Sequence, residues 1–196
     1  MRVAYLIMAH DQPEHLRRLI AALDCGDSTF HVHIDKKVDV VAFRTILGNR
    51  KNVHILGNRV KANWMGFSLV EATLRLLASA VHGGFDYCVL LSGSDYPIKP
   101  KREIFAFFET GRKEYMAFWR LEDRPSWQHK VQNLYPLDAI PIRDCSNNRE
   151  TVYWRLLFWG RFFRYRKYMP KRRVPGNMTP YGGPDWWSLS FDCVAY

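Results

Sequence analysis

The sequence predicts an α/β fold in which a mainly parallel central sheet is flanked by helices. Along the first half of the chain, short continuous apolar runs alternate with longer segments whose apolar residues recur at helical spacing. Short links join these segments, and such strand–helix alternation is typical of layered α/β folds. The chain has 196 residues, 47% of them hydrophobic, which is enough for one sizeable core, so we predict a single domain.

The first strand and the helix after it have the clearest patterns. Residues 3–9 are apolar throughout, as expected of a strand covered on both faces. Residues 14–23 form the predicted first helix, with Asp11 as its N-cap and Pro13 in its first turn. Further strands are predicted at residues 29–34, 53–56, 87–91 and 115–119. Further helices are predicted at residues 40–47, 67–81 and 103–109, and Gly83-Gly84 ends the helix at 67–81.

The second half of the chain has a different pattern. Residues 120–148 are polar and loop-like, residues 170–184 are rich in Pro and Gly, and residues 186–191 return to a strand-like run. Residues 153–173 are rich in aromatics and contain eight Arg or Lys and no acid. The net charge of +10 favours anionic partners, namely nucleotide phosphates, nucleic acid or an anionic membrane.

The cysteines and the apolar runs argue against several classes of protein. Cys25, Cys88, Cys145 and Cys193 are widely spaced and form no CxxC pair, which disfavours a zinc site or a disulfide framework. We therefore predict reduced thiols. No apolar run reaches the roughly 18 residues that a membrane-spanning helix needs, so none is predicted.

Polar residues follow three of the predicted strands. Ala9-His10 follows the first strand and Asp35-Lys36-Lys37 the second. Parallel strands end at the same side of a sheet, so we expect these residues to converge there. Asp35 is predicted to accept hydrogen bonds from a ribose or a base edge, and the lysines to face phosphates. The alternative interpretation of this segment is a solvated turn.

The third polar strand end is the loop Ser92, Gly93, Ser94 and Asp95. Its small residues allow a ligand to approach the backbone closely, and Asp95 is predicted to face the cleft at the strand ends. The alternative is a tight turn in which Ser and Gly serve geometry alone.

Two further segments are candidates for ligand contact. Residues 63–68 precede or open the long helix, whose N-terminal N–H groups attract anions, and Ser68 is predicted to cap it. Residues 182–189 combine glycines, Asp185 and adjacent Trp residues, which suits a sugar platform. The alternatives are simple packing for Trp64 and a core strand for the second segment.

The sequence lacks several motifs that would indicate other chemistry. It has no GxxxxGK[ST], no GxGxxG after the first strand, no HExxH and no GxSxG. A strict Asp-X-Asp triplet, which many metal-dependent glycosyltransferases use to hold a divalent ion, is also missing. We therefore predict no metal and no other cofactor, with Arg and Lys neutralising the phosphate charge.

Taken together, these residues resemble the core-2/I-branching β-1,6-N-acetylglucosaminyltransferase family, which also includes peptide O-xylosyltransferases. Five stretches match in the family's order and cover nearly the whole chain. They are residues 4–10, 31–37, 64–72, 85–99 and 182–190.

The resemblance implies a GT-A-like nucleotide-binding sandwich and a UDP-sugar donor of the GlcNAc or xylose type. It also implies an inverting, metal-independent transfer to a hydroxyl of a glycan or other acceptor. By position, residues 1–120 would be the nucleotide-binding half and residues 121–196 the beginning of an acceptor-side half. The implied nucleotide-binding residues are Ala9, His10, Asp35, Lys36, Lys37, Trp64 and Ser68, of which Ala9, His10 and Asp35 would line the uracil and ribose. The implied donor-sugar or diphosphate contacts are Ser92, Gly93, Ser94 and Asp95, and the implied acceptor or sugar contacts are Gly183, Asp185 and Trp186.

The resemblance also places the catalytic base outside this chain. The family's base is a Glu in an Asp-Glu pair that follows the Gly-X-X-Trp segment, and Tyr196 precedes any such pair. We expect a C-terminally truncated fragment without its base, and predict that Glu71, Glu103 and Asp185 do not substitute for it. The start at the first strand resembles bacterial members, which implies a cytoplasmic enzyme of glycan biosynthesis. The segment from Trp154 to Arg173 is then a candidate for peripheral contact with a membrane that carries a lipid-linked acceptor. The alternative interpretation of this segment is a solvated basic loop or a flap of the acceptor site.

Three alternatives remain open at this stage. The first is a non-catalytic sugar-nucleotide-binding protein. The second is a glycosyltransferase of another family that uses a metal. The third is a nucleic-acid-binding protein, motivated by the charge, although the basic residues cluster away from the predicted strand ends. We predict no nucleic-acid partner.

Overall fold

A computed structural model describes residues 1–111, 113–141 and 149–196. Cys145 therefore lies outside the described residues. The chain divides into two compact units. The first unit comprises Met1–Ala62, Val70–Met116 and Asp185–Tyr196, and the second comprises Asn63–Leu69 and Ala117–Pro184.

The described strands and helices are numbered along the chain. The strands are β1 (Val3–Ala9), β2 (Ser28–Ile34), β3 (Val53–Ile55), β4 (Tyr87–Ser92), β5 (Tyr115–Met116), β6 (Trp119–Arg120), β7 (Tyr181–Gly182) and β8 (Trp187–Ser190). The α-helices are α1 (Pro13–Leu23), α2 (Val41–Leu47), α3 (Phe67–Val81), α4 (Lys101–Gly111), α5 (Gln128–Gln132), α6 (Arg149–Tyr165) and α7 (Phe191–Ala195).

The first unit is built on a six-stranded sheet in the order β3-β2-β1-β4-β8-β5. Strands β3, β2, β1 and β4 pair in parallel, and β8 runs antiparallel to both of its neighbours. The register places Ala9 opposite Ile34 and Met8 opposite Ser92. This confirms the predicted mainly parallel α/β sheet.

The strand β1 lies at the centre of the core because both of its faces are buried. Its odd-numbered residues, such as Tyr5 and Ile7, join one apolar cluster with α1 and α2. Its even-numbered residues, such as Leu6, join another with Leu76 and Ala80 of α3. The alternation follows the two-residue period of a strand. Each such buried Leu or Ile contributes about 1.5–3 kcal/mol of hydrophobic stabilisation.

The predicted start of the first helix is wrong by one residue. Gln12, with a left-handed backbone (φ 49°), occupies the N-cap position and makes no side-chain cap. Pro13 opens α1 with no N–H and a preset φ, so one fewer donor needs a cap, and Asp11 lies too early to supply one. The predicted end of helix α3 is confirmed. After its last residue, Gly83 N–H donates to Ala80 O (3.0 Å) and Gly84 has φ 66°.

The predicted fifth strand is also corrected. Residues 115–119 form no continuous strand, because β5 pairs with β8 in the large sheet whereas β6 pairs with β7 in a separate two-stranded sheet. Strand β7, which pairs with β6, lies within residues 170–184, a segment that the sequence predicted as loop. An isolated Tyr-Gly pair has too few residues to show a strand period.

The second unit has its own small core. Leu137, Trp159 and Phe162 are buried together, with Tyr135 and Phe158 packed against them. Of the aromatic and basic segment 153–173, residues 153–165 lie in helix α6 and residues 166–168 form a 3-10 turn after it. None of the helices within the described ranges is long and apolar enough to cross a membrane.

Two buried histidines on β2 make the fold sensitive to acid. Burial, together with the smaller effect of the neighbouring His54, lowers the pKa of His31 to about 4. The His31 Nδ1 lies 2.8 Å from Ser79 Oγ. Burial also lowers the pKa of His33, whose Nε2 accepts a hydrogen bond from Val60 N–H (3.0 Å). Both imidazoles are therefore neutral in the folded chain near neutral pH.

We predict that the free energy of unfolding falls as the pH drops from about 6.5 towards 4, because the unfolded chain then binds protons that folded His31 does not. At about pH 5 the loss from His31 alone should be on the order of 2 kcal/mol. Urea unfolding at about pH 7 and pH 5 measures it. His31→Asn should reduce the loss, whereas His82→Asn, at an exposed position, should leave it unchanged. Equal losses in all three proteins would contradict the prediction.

Candidate functional site

The carboxyl ends of β2, β1 and β4 lie side by side, and we call this side the carboxyl edge. Backbone hydrogen bonds continue the pairing past the strands themselves. Asp35 N–H donates to Ala9 O (2.8 Å), and Gly93 N–H donates to Met8 O (2.7 Å). Three strand ends that are far apart in sequence therefore meet at this edge, as the sequence predicted.

The strands that come next after β1 in sequence and the strand β4 lie on opposite sides of β1 in the sheet. Strand β1 leads by way of α1 to β2 and then β3 on one side, whereas β4 lies on the other side of β1. Such a reversal of strand order opens a crevice beyond the strand ends, where ligands of open α/β sheets bind. His10, just beyond β1, is exposed at this point, with its Nε2 3.8 Å from Asp11 Oδ2.

Asp35 is a buried carboxylate at the end of β2. Its Oδ1 accepts a hydrogen bond from Lys37 N–H (2.9 Å), and its Oδ2 lies 3.4 Å from Lys37 Nζ. These contacts fix the orientation of the carboxylate. Because a carboxylate accepts about four hydrogen bonds in total, acceptor capacity remains for a ligand.

The two adjacent lysines have different surroundings. Lys37 is partly buried, and its Nζ donates to Ala62 O (2.8 Å) in addition to its contact with Asp35. Lys36 is exposed and makes no ion pair with any residue in the described ranges. Lys36 is therefore the more available cation for a phosphate, whereas Lys37 ties the β2 end to the segment after β3.

The loop after β4 is a tight turn held by Asp95. Asp95 Oδ2 accepts a hydrogen bond from Ser92 N–H (2.7 Å), and Ser94 N–H donates to Ser92 Oγ (3.2 Å). A Cβ on Gly93 would lie 2.6 Å from Ala9 Cβ, so only Gly fits this position. Close approach of two strand ends therefore accounts for Gly93.

Asp95 also orients Trp186. The Trp186 indole N–H donates to Asp95 Oδ2 (2.9 Å), although the residues are 91 positions apart. Strand β8 is antiparallel to β4, so the residues that precede it, Asp185 and Trp186, lie at the carboxyl edge. Both are exposed, and the bond to Asp95 leaves the Trp186 ring half exposed and held in place. A fixed, exposed ring of this kind can stack on the apolar face of a sugar.

The second unit contains the other predicted site residues, Trp64, Ser68 and Gly183. Trp64 is exposed. Ser68 is the second residue of α3 and does not cap it, which corrects the prediction. Its N–H donates to Asp138 Oδ2 (3.0 Å) and its Oγ accepts from Asn63 N–H (2.8 Å), so Asp138 satisfies the helix end instead. A Cβ on Gly183 would lie 2.4 Å from Ala117 O, so this Gly serves backbone packing.

Sequence reasoning missed several residues that support the carboxyl edge. His15 Nε2 lies 3.1 Å from Asp95 O, and its ring lies 5.8 Å from that of Tyr96. Arg59 Nη1 donates to Asp35 O (3.3 Å) and to Val38 O (3.1 Å). His15 lies on an amphipathic helix and Arg59 in a short loop, so neither stands in a pattern that marks a contact. Among the supporting residues, only His33 could have been found from the sequence, because it lies within the matched stretch 31–37.

The remaining carboxylates of interest are engaged at the surface. Glu71 pairs with Arg75 one helical turn later, and Glu103 pairs with Lys99 (3.2 Å). Within the described part of the chain, no group of three or more His, Cys, Asp or Glu side chains could hold a metal ion.

We predict that Gly93→Ala destabilises the first unit by about 1–3 kcal/mol, because the new methyl group would overlap Ala9. Gly57→Ala is the matched control, since a Cβ there meets nothing within 4 Å and its backbone needs no left-handed conformation. Thermal unfolding of both variants measures the difference. Equal melting temperatures would show that β1 and β4 do not approach each other as closely as described.

Comparison with known proteins shows which family the chain belongs to. The family model described as Core-2/I-Branching enzyme matches residues 3–196. The chain is 24% identical over 202 residues to xylosyltransferase 2 of Homo sapiens, and 25% identical over 202 residues to xylosyltransferase 1 of Rattus norvegicus. Both matches cover 100% of this chain, and they cover 21% and 22% of those relatives.

A third relative is named as an N-acetylglucosaminyltransferase. The chain is 27% identical over 199 residues to a Homo sapiens protein named probable beta-1,3-galactosyl-O-glycosyl-glycoprotein beta-1,6-N-acetylglucosaminyltransferase 7. That match covers 99% of this chain and 42% of the relative. The chain thus spans about a fifth of the xylosyltransferases and less than half of this enzyme. Because the family model extends over almost every residue, the chain belongs to the Core-2/I-branching enzyme family.

Proposed function

We propose that this chain carries the donor-binding part of a glycosyltransferase that transfers a sugar of the GlcNAc or xylose type from a UDP-sugar to a hydroxyl. The observation that carries the proposal is the convergence of Ala9, Asp35 and Gly93 through two backbone hydrogen bonds at the crevice between β1 and β4. Membership of a family whose named relatives are glycosyltransferases supports the reaction class.

The nucleoside end of the donor fits the end of β2. A ribose hydroxyl or a uracil N–H needs a fixed acceptor, and Asp35 supplies one that is buried and already oriented. His33 and Arg59 hold the neighbouring backbone in place through Val60 and the Asp35 carbonyl. Acceptors fixed before binding lose little conformational entropy when the ligand arrives.

The sugar end of the donor, or the acceptor sugar, fits the other side of the crevice. Gly93 has no side chain, so only backbone lies at this position of the carboxyl edge, and Asp95 holds the Trp186 ring at the same edge. An aromatic face recognises a pyranose, and the exposed Asp185 carboxylate is available to accept hydrogen bonds from its hydroxyls.

The proposed reaction is a single displacement with inversion. A carboxylate base takes the proton of the acceptor hydroxyl, whose oxygen forms a bond to the anomeric carbon while the bond from that carbon to the diphosphate oxygen breaks. Charge develops on the diphosphate, and cationic side chains, with Lys36 as the described candidate, stabilise it without a divalent metal. Glu71 and Glu103 are engaged in ion pairs, so we do not assign the base to either, nor to Asp185.

We predict that Asp35→Asn weakens binding of UDP about tenfold, because it removes a charged acceptor whose hydrogen bonds are stronger than neutral ones. Isothermal titration with UDP measures the dissociation constant. Asp27→Asn is the matched control, since Asp27 is exposed just before the opposite end of β2 and the change in charge is the same. Equal affinities for both variants would remove Asp35 from the proposed site. Binding of UDP without turnover of any UDP-sugar in the full-length protein would support a non-catalytic nucleotide-binding role instead.

We predict that EDTA leaves the affinity for UDP unchanged within twofold, because side-chain cations take the place of a divalent ion in the proposed site. The same titration with and without EDTA, and with added Mn²⁺, measures this. Loss of UDP binding in EDTA that Mn²⁺ restores would contradict metal independence and favour a metal-dependent transferase.

A further inference from the structure

Helix α6 has one buried face, and it also carries large apolar side chains that are exposed among the described residues. Trp159 and Phe162 on the inner face pack with Leu137. Six other side chains of α6 are large and apolar, and they are 43–69% exposed. They are Val152, Tyr153, Trp154, Leu156, Phe163 and Tyr165. Apolar clusters exposed on this scale mark interaction surfaces.

The spacing of the outer residues places them along the helix as a stripe. Val152, Leu156 and Phe163 follow one another at intervals of four and seven residues, which lie on the same side of an α-helix. Around the helix, Trp154 and Tyr165 line a groove of about 350 Å³ together with Leu157, Phe158, Arg161 and Phe162. The outer surface of α6 is therefore apolar over much of its circumference.

Cations lie among these apolar residues and in the segment that follows them. The exposed ones are Arg161, Arg164, Lys167, Lys171, Arg172 and Arg173. The segment contains no acid from residue 153 to residue 173. Basic and aromatic groups are also in direct contact, because the Arg166 guanidinium lies 5.3 Å from the Phe163 ring centroid and Lys167 Nζ lies 4.9 Å from that of Tyr168.

We propose that residues 152–173, which we call the membrane surface, bind the face of an anionic lipid bilayer. An interfacial helix needs an apolar side for the acyl region and cations for the headgroups, and both are present on the same short segment. Long Arg and Lys side chains bury their stems beside apolar groups and keep their charges at the headgroup level.

A bilayer fits these side chains better than a nucleic acid does. Phosphate backbones attract the cations, and bases stack on aromatic rings, but neither uses exposed aliphatic side chains. Leu156 is the most exposed residue of the stripe at 69%, and Val152 is exposed beside it. Contact with acyl chains gives both residues a favourable environment.

The test is co-sedimentation of the chain with vesicles made of equal parts phosphatidylcholine and phosphatidylglycerol. Binding should be at least about tenfold stronger than to phosphatidylcholine vesicles and should fall with added salt, because the cations act through electrostatic attraction. Leu156→Glu and Phe163→Glu should each weaken it about tenfold, since a carboxylate opposes both acyl contact and the negative surface.

Leu74→Glu is the matched control, because Leu74 is also an exposed helical leucine, 55% exposed, and lies in the first unit. It should leave vesicle binding unchanged. Circular dichroism confirms folding of each variant, and unchanged UDP affinity separates this surface from the donor site.

Three results would overturn the proposal. One is equal binding to vesicles by wild type and Leu156→Glu. Another is absence of vesicle binding with a change of oligomeric state in Leu156→Glu, which would assign the surface to a second copy of the chain. The third is tighter binding of duplex DNA than of anionic vesicles at the same salt concentration, which would assign it to nucleic acid.

Discussion

The candidate site depends on the parallel pairing of β1 with both β2 and β4, which continues beyond the strands through the bonds from Asp35 to Ala9 and from Gly93 to Met8. Strand β1 is the buried centre of the sheet, so its end is fixed by the core on both faces. The residues that follow β2 and β4 are therefore held close to the end of β1. The core therefore determines the geometry of the crevice before any polar side chain contributes.

Asp95 shows how a single carboxylate can organise the far side of that crevice. Its Oδ2 accepts from Ser92 of its own turn and from Trp186, which arrives from a distant part of the chain. The first bond fixes the turn and the second fixes a large aromatic ring. The role of Asp95 in this structure is therefore to position groups at the edge, and Lys37 does the same on the side of β2. Asp35 keeps acceptor capacity for a ligand, and Trp186 keeps an exposed ring surface.

The sequence predicted the elements whose patterns are local and missed contacts between distant residues. The strand at Val3–Ala9 and the helix at Phe67–Val81 were predicted at their observed bounds, because apolar periodicity and a Gly stop are visible in a single stretch. The convergence of Ala9, Asp35 and Gly93 followed from the rule for parallel strand ends. The roles of Asp138, His15 and Arg59 could not follow, because each depends on a partner more than 20 residues away. The division of residues 115–119 depended in the same way on β7 and β8.

The distribution of charge separates the two proposed ligands. The segment 153–173 contributes eight of the ten net positive charges, which leaves +2 for the rest of the chain. The carboxyl edge is correspondingly nearly balanced, with Lys37 neutralised by Asp35 and Lys36 left exposed. A nucleotide bound there would be recognised mainly by oriented hydrogen bonds and backbone shape, which salt screens little. The exposed cations around α6 act at longer range, so salt strongly screens their attraction for an anionic surface. The overall basicity of the chain is thus a property of one segment, and it carries little information about the ligand of the α/β sheet.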